Sequence, residues 1–329
     1  MKKFLALILS LAMVFALVAC GGEKTDDSQN NDGDSSSPVA ITLATGGTSG
    51  TYYAVGGVLK TVLDSKLTLS TLNVESTGAS VANVNMITDG EAQMAILQSD
   101  VINYAHEGTN SFDGAPETNA LWVAGIYNET VQILAKPGIN TVSDLKGKTI
   151  CVGDVGSGTE INAWQVLGAA GLTKDDVNAV NGSFQDGVDQ LKDGKIDAAF
   201  VVAGAPTPAI QDLGTGKQVY LVSLDKEHVD SLIASSPYYK EYTISKDVYN
   251  TPEDVTTVAV AAVVIARNDV SEAAIYNFVS AIFDNIDEIG HAKKAELSLD
   301  FASSITDVPY HPGAAKYFAE KDITVNTAA

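Results

Sequence analysis

The sequence predicts two α/β lobes that share one cleft, and three features predict it. From Pro38 onward, short apolar and β-branched runs alternate with stretches of helical spacing, which is typical of α/β folds. Two of the predicted strands run into loops rich in glycine and hydroxyl residues that open a helix. Two longer apolar stretches, far apart along the chain, can carry the backbone from one lobe to the other and back.

The N-terminal region has the composition of an export signal. Met1 to Lys3 is basic, and Phe4 to Ala19 is an apolar run of about 16 residues, short for a membrane span. It ends in small residues before Cys20, a pattern that resembles a bacterial lipobox, with an uncleaved anchor as the weaker alternative. We therefore expect residues 1–19 to be a signal peptide and Cys20 to be lipidated. Residues 20–38 are polar and acidic, which predicts a disordered tether.

Overall charge and cysteine content narrow the function classes. The chain has 41 acidic against 20 basic residues and shows no basic stripe, so we expect no nucleic-acid partner. Cys20 and Cys151 are its only cysteines, so lipidation of the first leaves no partner for an intramolecular disulfide. Cys151 lies in a predicted strand, where a buried inert thiol is expected. Beyond the N-terminal run, no apolar stretch reaches the length of a bilayer span.

The first glycine loop follows the first predicted strand. Ile41 to Ala44 reads as a buried strand, Gly46 to Gly50 as a turn, and the residues from Tyr52 to Val62 have helical spacing. A helix N-terminus favours an anionic group, because its first amides lack intrahelical partners and the helix dipole is positive there. Adjacent helical residues diverge by about 100°, so only one of Tyr52 and Tyr53 can point inward. A tight turn that binds nothing remains the alternative for the loop alone.

The rest of the first lobe follows the same plan. Leu67 to Val74 and Gln93 to Leu97 are predicted strands, each followed by a polar turn and a helix. In open α/β sheets, ligands bind beyond the carboxyl ends of strands, where such turns gather. Leu121 to Ala135 is too long for one ordinary strand, so we expect two segments broken at Tyr127 to Glu129 and a first crossing between the lobes.

The second lobe repeats the strand–loop–helix unit. Thr149 to Gly153 is a predicted strand, and Asp154 to Glu160 is a second glycine and hydroxyl loop that opens a helix. A helix is expected within Gly182 to Lys195, and strands at Ile196 to Val202 and Val219 to Leu224. Val258 to Ala266 is the expected return crossing. Helices at Val270 to Ile289 and Pro312 to Glu320 close the chain.

Two lobes, two crossings and opposed Gly/Ser/Thr loops describe a venus-flytrap binding protein, whose hinge closes over a ligand. The expected boundaries give lobe I residues 38–130 and 262–329, and lobe II residues 131–261.

Nine short strings in order carry a family resemblance. They are TGGxxGxYYxxGG from Thr45, ESTGxSxxNxxxI from Glu75, QSD from Gln98, DLKGK, GSGTE, KIDAAF, SPYY, DVTT and the closing YHPGAAKYF. As a set they resemble the TAXI family of TRAP-transporter solute receptors. That resemblance implies a type II periplasmic-binding-protein fold and capture of a small organic acid or amino acid, glutamate-like compounds being favoured. It also implies an extracytoplasmic, lipid-anchored receptor, expected as a monomer, that delivers its ligand to an ion-gradient-driven TRAP permease without a cofactor.

The resemblance places the ligand site on residues from both lobes and the hinge. The predicted ligand-binding residues are Ser49, Gly50, Thr51, Tyr52, Thr77, Gly78, Ser80, Gln98, Ser99, Tyr127, Asn128, Ser157, Gly158, Thr159, Glu160, Ala203, Gly204 and Pro206. Any one of them is alternatively a capping residue that touches no ligand.

Arg267 is the only arginine, and it follows the predicted return strand. Many binding proteins clamp a carboxylate with an arginine, and related sequences often carry one at the place of Trp164. We therefore expect a carboxylate to be held mainly by amides, hydroxyls or a lysine. The hypothesis is binding through helix N-termini, with Trp164 or a tyrosine on the apolar part of the ligand; core burial is the favoured alternative for Trp164. Glu160 is expected either to meet a ligand ammonium or to cap its own helix.

Two other classes remain as alternatives. An exported hydrolase is disfavoured, because neither Ser49 nor Ser157 lies in a G-x-S-x-G motif and no histidine pair has metal-ligand spacing. The sequence therefore predicts a non-enzyme without a metal site. The nearer rival is the same fold serving an ATP-driven transporter or a membrane sensor kinase, which only the family strings disfavour.

Overall fold

The computed structural model describes residues 38–305 and 307–327. The predicted signal peptide, the lipidation site at Cys20 and the tether up to residue 37 lie outside the described residues.

The strands of the described residues form one sheet with the order β2-β1-β3-β9-β4-β7-β5-β6, and β8 pairs separately with β9. They are β1 Val39–Ala44, β2 Ser70–Glu75, β3 Met94–Gln98, β4 Ala120–Ala135, β5 Thr149–Cys151, β6 Asn178–Val180, β7 Ala198–Ala203, β8 Lys240–Ile244 and β9 Val255–Arg267.

The helices follow the strands along most of the chain. They are α1 Thr51–Leu63, α2 Ser80–Thr88, α3 Ser99–Glu107, α4 Gly158–Ala169, α5 Phe184–Lys192, α6 Pro208–Gly216, α7 Lys226–Ser235, α8 Glu272–Phe283, α9 Leu299–Ala302 and α10 Pro312–Glu320. Short 3-10 helices lie at Asn110–Phe112, Val142–Leu145, Lys246–Val248, Ile286–Glu288 and Ala292–Glu296.

Each side of the sheet is parallel, as predicted, but its centre is antiparallel. Strand β1 pairs in parallel with β2 and β3, and β5 pairs in parallel with β6 and β7. Between these groups, β4 and β9 run antiparallel to each other and to β3 or β7. The reason is geometric, because one strand carries the chain out of the first lobe and the other carries it back.

Strand β4 corrects the predicted break at Tyr127 to Glu129. It continues without interruption from Ala120 to Ala135. Tyr127 to Thr130 stay paired with β9. The register shifts occur earlier, between Trp122 and Ala124 and between Gly125 and Tyr127. The polar residues of this stretch are accommodated because β-bulges re-aim side chains without ending a strand.

The stretch from Val219 to Leu224 is another correction. It forms one isolated bridge, between Leu221 and Leu134, rather than a regular strand. Val219, Val222 and Leu224 are buried, but apolar residues in such a run indicate burial and not a continuous ladder. The short strands β6 and β8 escaped prediction because they contain few buried apolar residues.

The buried core divides along the sheet. One cluster combines residues of β1, β3, α1 and α8 with the β9 segment 262–266. Two others fall between residues 131 and 260 and pack on the two faces around β7. We call the first side lobe I and the second lobe II, with β4 and β9 as the two-segment hinge.

Membrane spans, metal-binding clusters and the free cysteine can be assessed in the described part of the chain. Within the described residues, no helix combines the length and apolarity that a bilayer crossing requires. The same residues contain no group of three or more His, Cys, Asp or Glu side chains placed to hold a metal ion. Cys151 is a buried free thiol, and burial raises its pKa.

Candidate functional site

A cleft of about 500 Å³, open solvent at its mouth included, lies where the two lobes meet beside the hinge. The lining residues are Gly46, Gly47, Ser49, Gly50, Thr51, Tyr52, Ala79, Ser80, Gln98, Glu129, Asp154, Ser157, Gly158, Thr159, Phe184, Val202 and Ala203.

The first glycine loop and the start of α1 form the lobe I wall. Gly50 stands at the N-cap of α1, and its position allows the ring of Phe184 from lobe II to pack close to the backbone. Tyr52 lines the cleft, whereas the adjacent Tyr53 does not, as the helical geometry predicts. The first amides of α1 therefore open into the cleft at the positive end of the helix dipole.

The second glycine loop and the start of α4 form the lobe II wall. Ser157 caps α4, because its Oγ accepts a hydrogen bond from the Glu160 amide at 3.1 Å and donates one to the Asp154 carbonyl at 2.7 Å. Gly156 has a φ of 76°, a conformation that favours glycine. Because both walls begin helices, two positive helix ends face one small space.

Glu129 of β4 brings a carboxyl group to the same space. The residue is 1% exposed, and its Oε2 accepts a hydrogen bond of 2.5 Å from the Tyr52 hydroxyl. Burial raises the pKa of Glu129 well above its usual range. Burial and the nearby Glu129 charge also raise the pKa of Tyr52, so the hydroxyl stays a donor.

The charge of the cleft comes from acids alone. Asp154 joins Glu129 in the lining, and its pKa is raised by burial and by Asp186. Among the residues that the structure describes, no lysine, arginine or histidine lines the cleft. Of the predicted holders of an anionic group, the lining therefore offers backbone amides and hydroxyls but no lysine.

The lobes are closed onto each other around the cleft. Thr51 Oγ1 of lobe I donates to the Gly204 carbonyl of lobe II at 2.8 Å. Gln98 Nε2 donates to Asn162 Oδ1 at 2.5 Å, and all four of these residues are buried. Gly158 lies so close to the Gln98 amide that any side chain there would overlap it. The two lobes are thus in a closed arrangement around the cleft.

Ten of the predicted binding residues line the cleft. They are Ser49, Gly50, Thr51, Tyr52, Ser80, Gln98, Ser157, Gly158, Thr159 and Ala203. Their location follows from the strand-to-helix turns in which they were recognised, although their contact with a ligand stays a prediction.

Thr77, Gly78, Ser99 and Asn128 are predicted residues that lie outside the cleft lining. Thr77 donates to the Thr45 carbonyl and braces its own loop, with Gly78 beside it against Ala82. Ser99 turns away, because its Oγ accepts a hydrogen bond from the Ala261 amide. Asn128 lies on the face of β4 opposite to Glu129 and donates twice to Glu296, at 2.7 and 2.9 Å.

The other predicted residues outside the lining are held by structural contacts. Tyr127 is fully buried, and its ring lies 5.6 Å from Lys293 Nζ. Gly204 packs against Tyr127 and uses its carbonyl for Thr51.

Glu160 accepts hydrogen bonds from the Gly156 amide and from Asn181, which favours the capping alternative over a ligand ammonium. Pro206 lies in the turn before α6, outside the lining.

Seven lining residues were not among those predicted. Gly46, Gly47 and Asp154 belong to the recognised loops, and Ala79 lies in the turn before α2. Phe184 and Val202 carry no polar signal. Glu129 carried one, since a carboxylate inside a 16-residue apolar strand is costly unless it serves a purpose.

Trp164 and Arg267 both lie away from the cleft. Trp164 is partly buried and packs on the lobe II core, and Lys174 Nζ stands 5.2 Å from its ring, which favours the core alternative. Arg267 is the last residue of the hinge strand β9, and its Nε lies 2.6 Å from Asp269 Oδ1. The carboxylate clamp absent from the sequence pattern is thus not supplied from elsewhere in the described chain.

The two lobes and the sheet define the type II periplasmic-binding-protein fold. The chain belongs to the NMT1-like family, whose model matches residues 43–321.

Solved structures agree on the fold. One from Bordetella bronchiseptica RB50 has a TM-score of 0.51 at 15% identity, covering 78% of this chain and 75% of that one. PhnD1 from Prochlorococcus marinus MIT 9301, in complex with methylphosphonate, has a TM-score of 0.51 at 13% identity, covering 80% and 90%. Identities this low establish a common fold and no common ligand.

Proposed function

We propose that the protein is an extracytoplasmic solute receptor that captures a small organic acid or amino acid. The observation that carries the proposal is the pair of helix N-termini, those of α1 and α4, facing one closed cleft. Helix N-termini offer unpaired amides to a carboxylate, and hinge closure sequesters the ligand from water. The predicted lobe boundaries at residues 130/131 and 261/262 fit this hinge, and the eighteen predicted residues remain its candidate ligand site.

Glutamate-like compounds are the favoured ligands. The resemblance of the nine strings implies them, and the helix N-termini at the cleft suit their carboxylates. PhnD1, a protein of the same fold, was solved in complex with methylphosphonate, which is also a small anion. No cofactor or metal is part of the proposal.

The proposed partner is an integral-membrane TRAP permease, with the receptor held at the outer face of the cytoplasmic membrane by a lipid on Cys20. The family strings are the support for this coupling. The same fold serving an ATP-driven transporter or a sensor kinase remains the alternative. Solute uptake that persists after ATP depletion but stops when the ion gradient is collapsed would favour the permease, whereas the opposite pattern would favour the ATP-driven system.

Catalysis is not proposed. Ser49 and Ser157 line the cleft, but in the described part of the chain no histidine does. His106 and His311 each bond a backbone carbonyl, and Ser157 is committed to its helix cap. A nucleophile without a base is not activated.

Thermal unfolding with a panel of amino and organic acids tests the receptor proposal. A ligand that binds only the native state raises the melting temperature by mass action. We expect a rise with at least one small carboxylate and none with its amide or ester. The absence of any rise, together with no heat of binding by calorimetry, would contradict a receptor for this class of solute.

A further inference from the structure

Glu129 is the one feature of the cleft that an anion-binding site does not explain. It is 1% exposed in a strand that is buried almost throughout, and only its Oε2 has a hydrogen-bond partner in the described residues, the Tyr52 hydroxyl. The carboxyl also lines the cleft, so its other oxygen is available to a bound molecule. A carboxylate beside two helix N-termini is poorly suited to a purely anionic ligand, because the two negative charges repel.

The groups around Glu129 do not supply a counter-charge in direct contact. Tyr52, Tyr127 and Asp100 are neutral or acidic. Lys293 is the nearest cation, but its Nζ is bound to Glu296 Oε1 at 2.6 Å, while Glu296 Oε2 is taken by Asn128. Lys293 therefore belongs to a separate pair, and Glu129 has no cation in direct contact that would favour its charged form.

We propose that Glu129 binds the ammonium group of the solute, with Tyr52 positioning its carboxyl. Resting on the proposed function, this deepens it by defining the ligand as an α-amino acid rather than a simple organic acid. The carboxylate of the amino acid binds the amides at the starts of α1 and α4, and the ammonium meets Glu129. Both ends of a zwitterion then find opposite charge within one cleft.

The competing chemistry is a neutral Glu129 that donates a hydrogen bond to a ligand carboxylate. The two arrangements select different ligands, since only the first requires an amino group. Isothermal titration calorimetry on the purified protein with matched pairs separates them: L-glutamate against glutarate, L-aspartate against succinate, and L-leucine against 4-methylpentanoate. Each pair differs only by the ammonium group.

Glu129→Gln keeps the size of the side chain and an acceptor for Tyr52 but removes the negative charge. We expect the best amino acid to bind at least about 30-fold more weakly to Glu129→Gln, the scale of a lost buried charge pair. The wild-type protein should prefer that amino acid over its deaminated partner by a similar factor. Glu241→Gln is the matched control, because Glu241 is an exposed residue of β8 that lies outside the cleft lining, and it should bind as the wild type does.

The outcomes separate the two proposals. Deaminated acids that bind as tightly as the amino acids, or a Glu129→Gln protein that keeps full affinity while melting cooperatively, would overturn the ammonium assignment and leave the receptor standing. Failure of every compound to bind the wild type would overturn the receptor itself. Tyr52→Phe adds a second readout: loss of the positioning hydroxyl should weaken amino-acid binding more than binding of the deaminated acids, and equal losses would count against it.

Discussion

Asn162 of lobe II is hydrogen-bonded to Asp100 of lobe I, with 2.8 Å between Asn162 Nδ2 and Asp100 Oδ2. The same Asn162 side chain accepts the bond from Gln98, so one buried amide holds two residues of the opposite lobe. A further hydrogen bond joins the two lobes nearby, from Gln165 Nε2 to the Tyr104 hydroxyl at 3.0 Å. These side chains lie beside the cleft and link its closure to specific polar partners.

Asn162→Ala should favour the open form. The substitution leaves the buried Gln98 and Asp100 without their partner in the closed form only, which costs about 2 kcal/mol. Ligand affinity should therefore fall by about 30-fold, and small-angle X-ray scattering should show a larger radius of gyration. Asn85→Ala, on the exposed face of α2, is the control and should change neither quantity. An unchanged affinity in Asn162→Ala would show that the contacts of Asn162 with the opposite lobe do not stabilise the closed form.

Gly158→Ala should disfavour closure. The added Cβ would overlap the Gln98 amide across the cleft, so the Gln98 side chain must move and lose its buried hydrogen bond to Asn162, although alanine suits the helix that begins there. We expect cooperative unfolding to be retained while ligand affinity falls by more than about 10-fold, since a less populated closed form weakens binding in proportion.

Gly168→Ala is the matched control on the same helix, where the new Cβ meets nothing within 4 Å. Calorimetry should give wild-type affinity, and thermal unfolding should show a gain of up to about 1 kcal/mol. Equal affinities for the two variants would show that Gly158 has no role in closure.

Asp100 should make stability depend on pH. Burial raises its pKa from 3.8 to about 6, so the folded state binds a proton that the unfolded state has already lost. This contribution is fully present below about pH 4, declines as the pH rises through about 6, and amounts to about 3 kcal/mol.

Denaturant unfolding of the wild type and Asp100→Asn across this range measures the effect. The difference between the two proteins should change with pH between about 4 and 6, which isolates Asp100 from Glu129, whose pKa is also raised. Parallel stability curves would contradict a raised pKa at Asp100.

Ser157→Ala should lose a helix cap and part of the cleft wall. The loss of the bond from the Glu160 amide costs about 1 kcal/mol of stability. Because Ser157 also lines the cleft, ligand affinity should fall as well. Ser183→Ala removes the comparable cap of α5 outside the lining and should cost stability alone. If Thr51→Ala and Ser157→Ala both bind ligand unchanged, the loop-based site is wrong.

The sequence predicts the fold and the walls of the cleft because local patterns encode them. The glycine loops before α1 and α4 lie where predicted, since strand ends and helix starts are set by short-range chemistry. The two hinge strands were also located, although β4 proved continuous. Their register, including the bulges that decide which face Glu129 takes, depends on pairing with β9, which is distant in sequence.

The floor of the cleft escaped prediction for a different reason. Asn128 and Glu129 are adjacent polar residues of one strand. Because side chains alternate across a strand, Asn128 meets Glu296 on one face, whereas Glu129 lies in the cleft on the other. The Asn162 contact likewise arises only when the lobes meet, because its partners Gln98 and Asp100 are more than sixty residues away. Such contacts leave no local sequence pattern.

Native mass spectrometry of the purified protein mixed with amino and organic acids tests the central claim most directly. If the closed cleft between the two glycine loops holds one small acid, the wild-type protein should retain a single solute in a one-to-one complex. Gly158→Ala should lose that complex and Gly168→Ala should keep it. A wild-type spectrum without any bound acid, or an equally abundant complex in Gly158→Ala, would contradict the account.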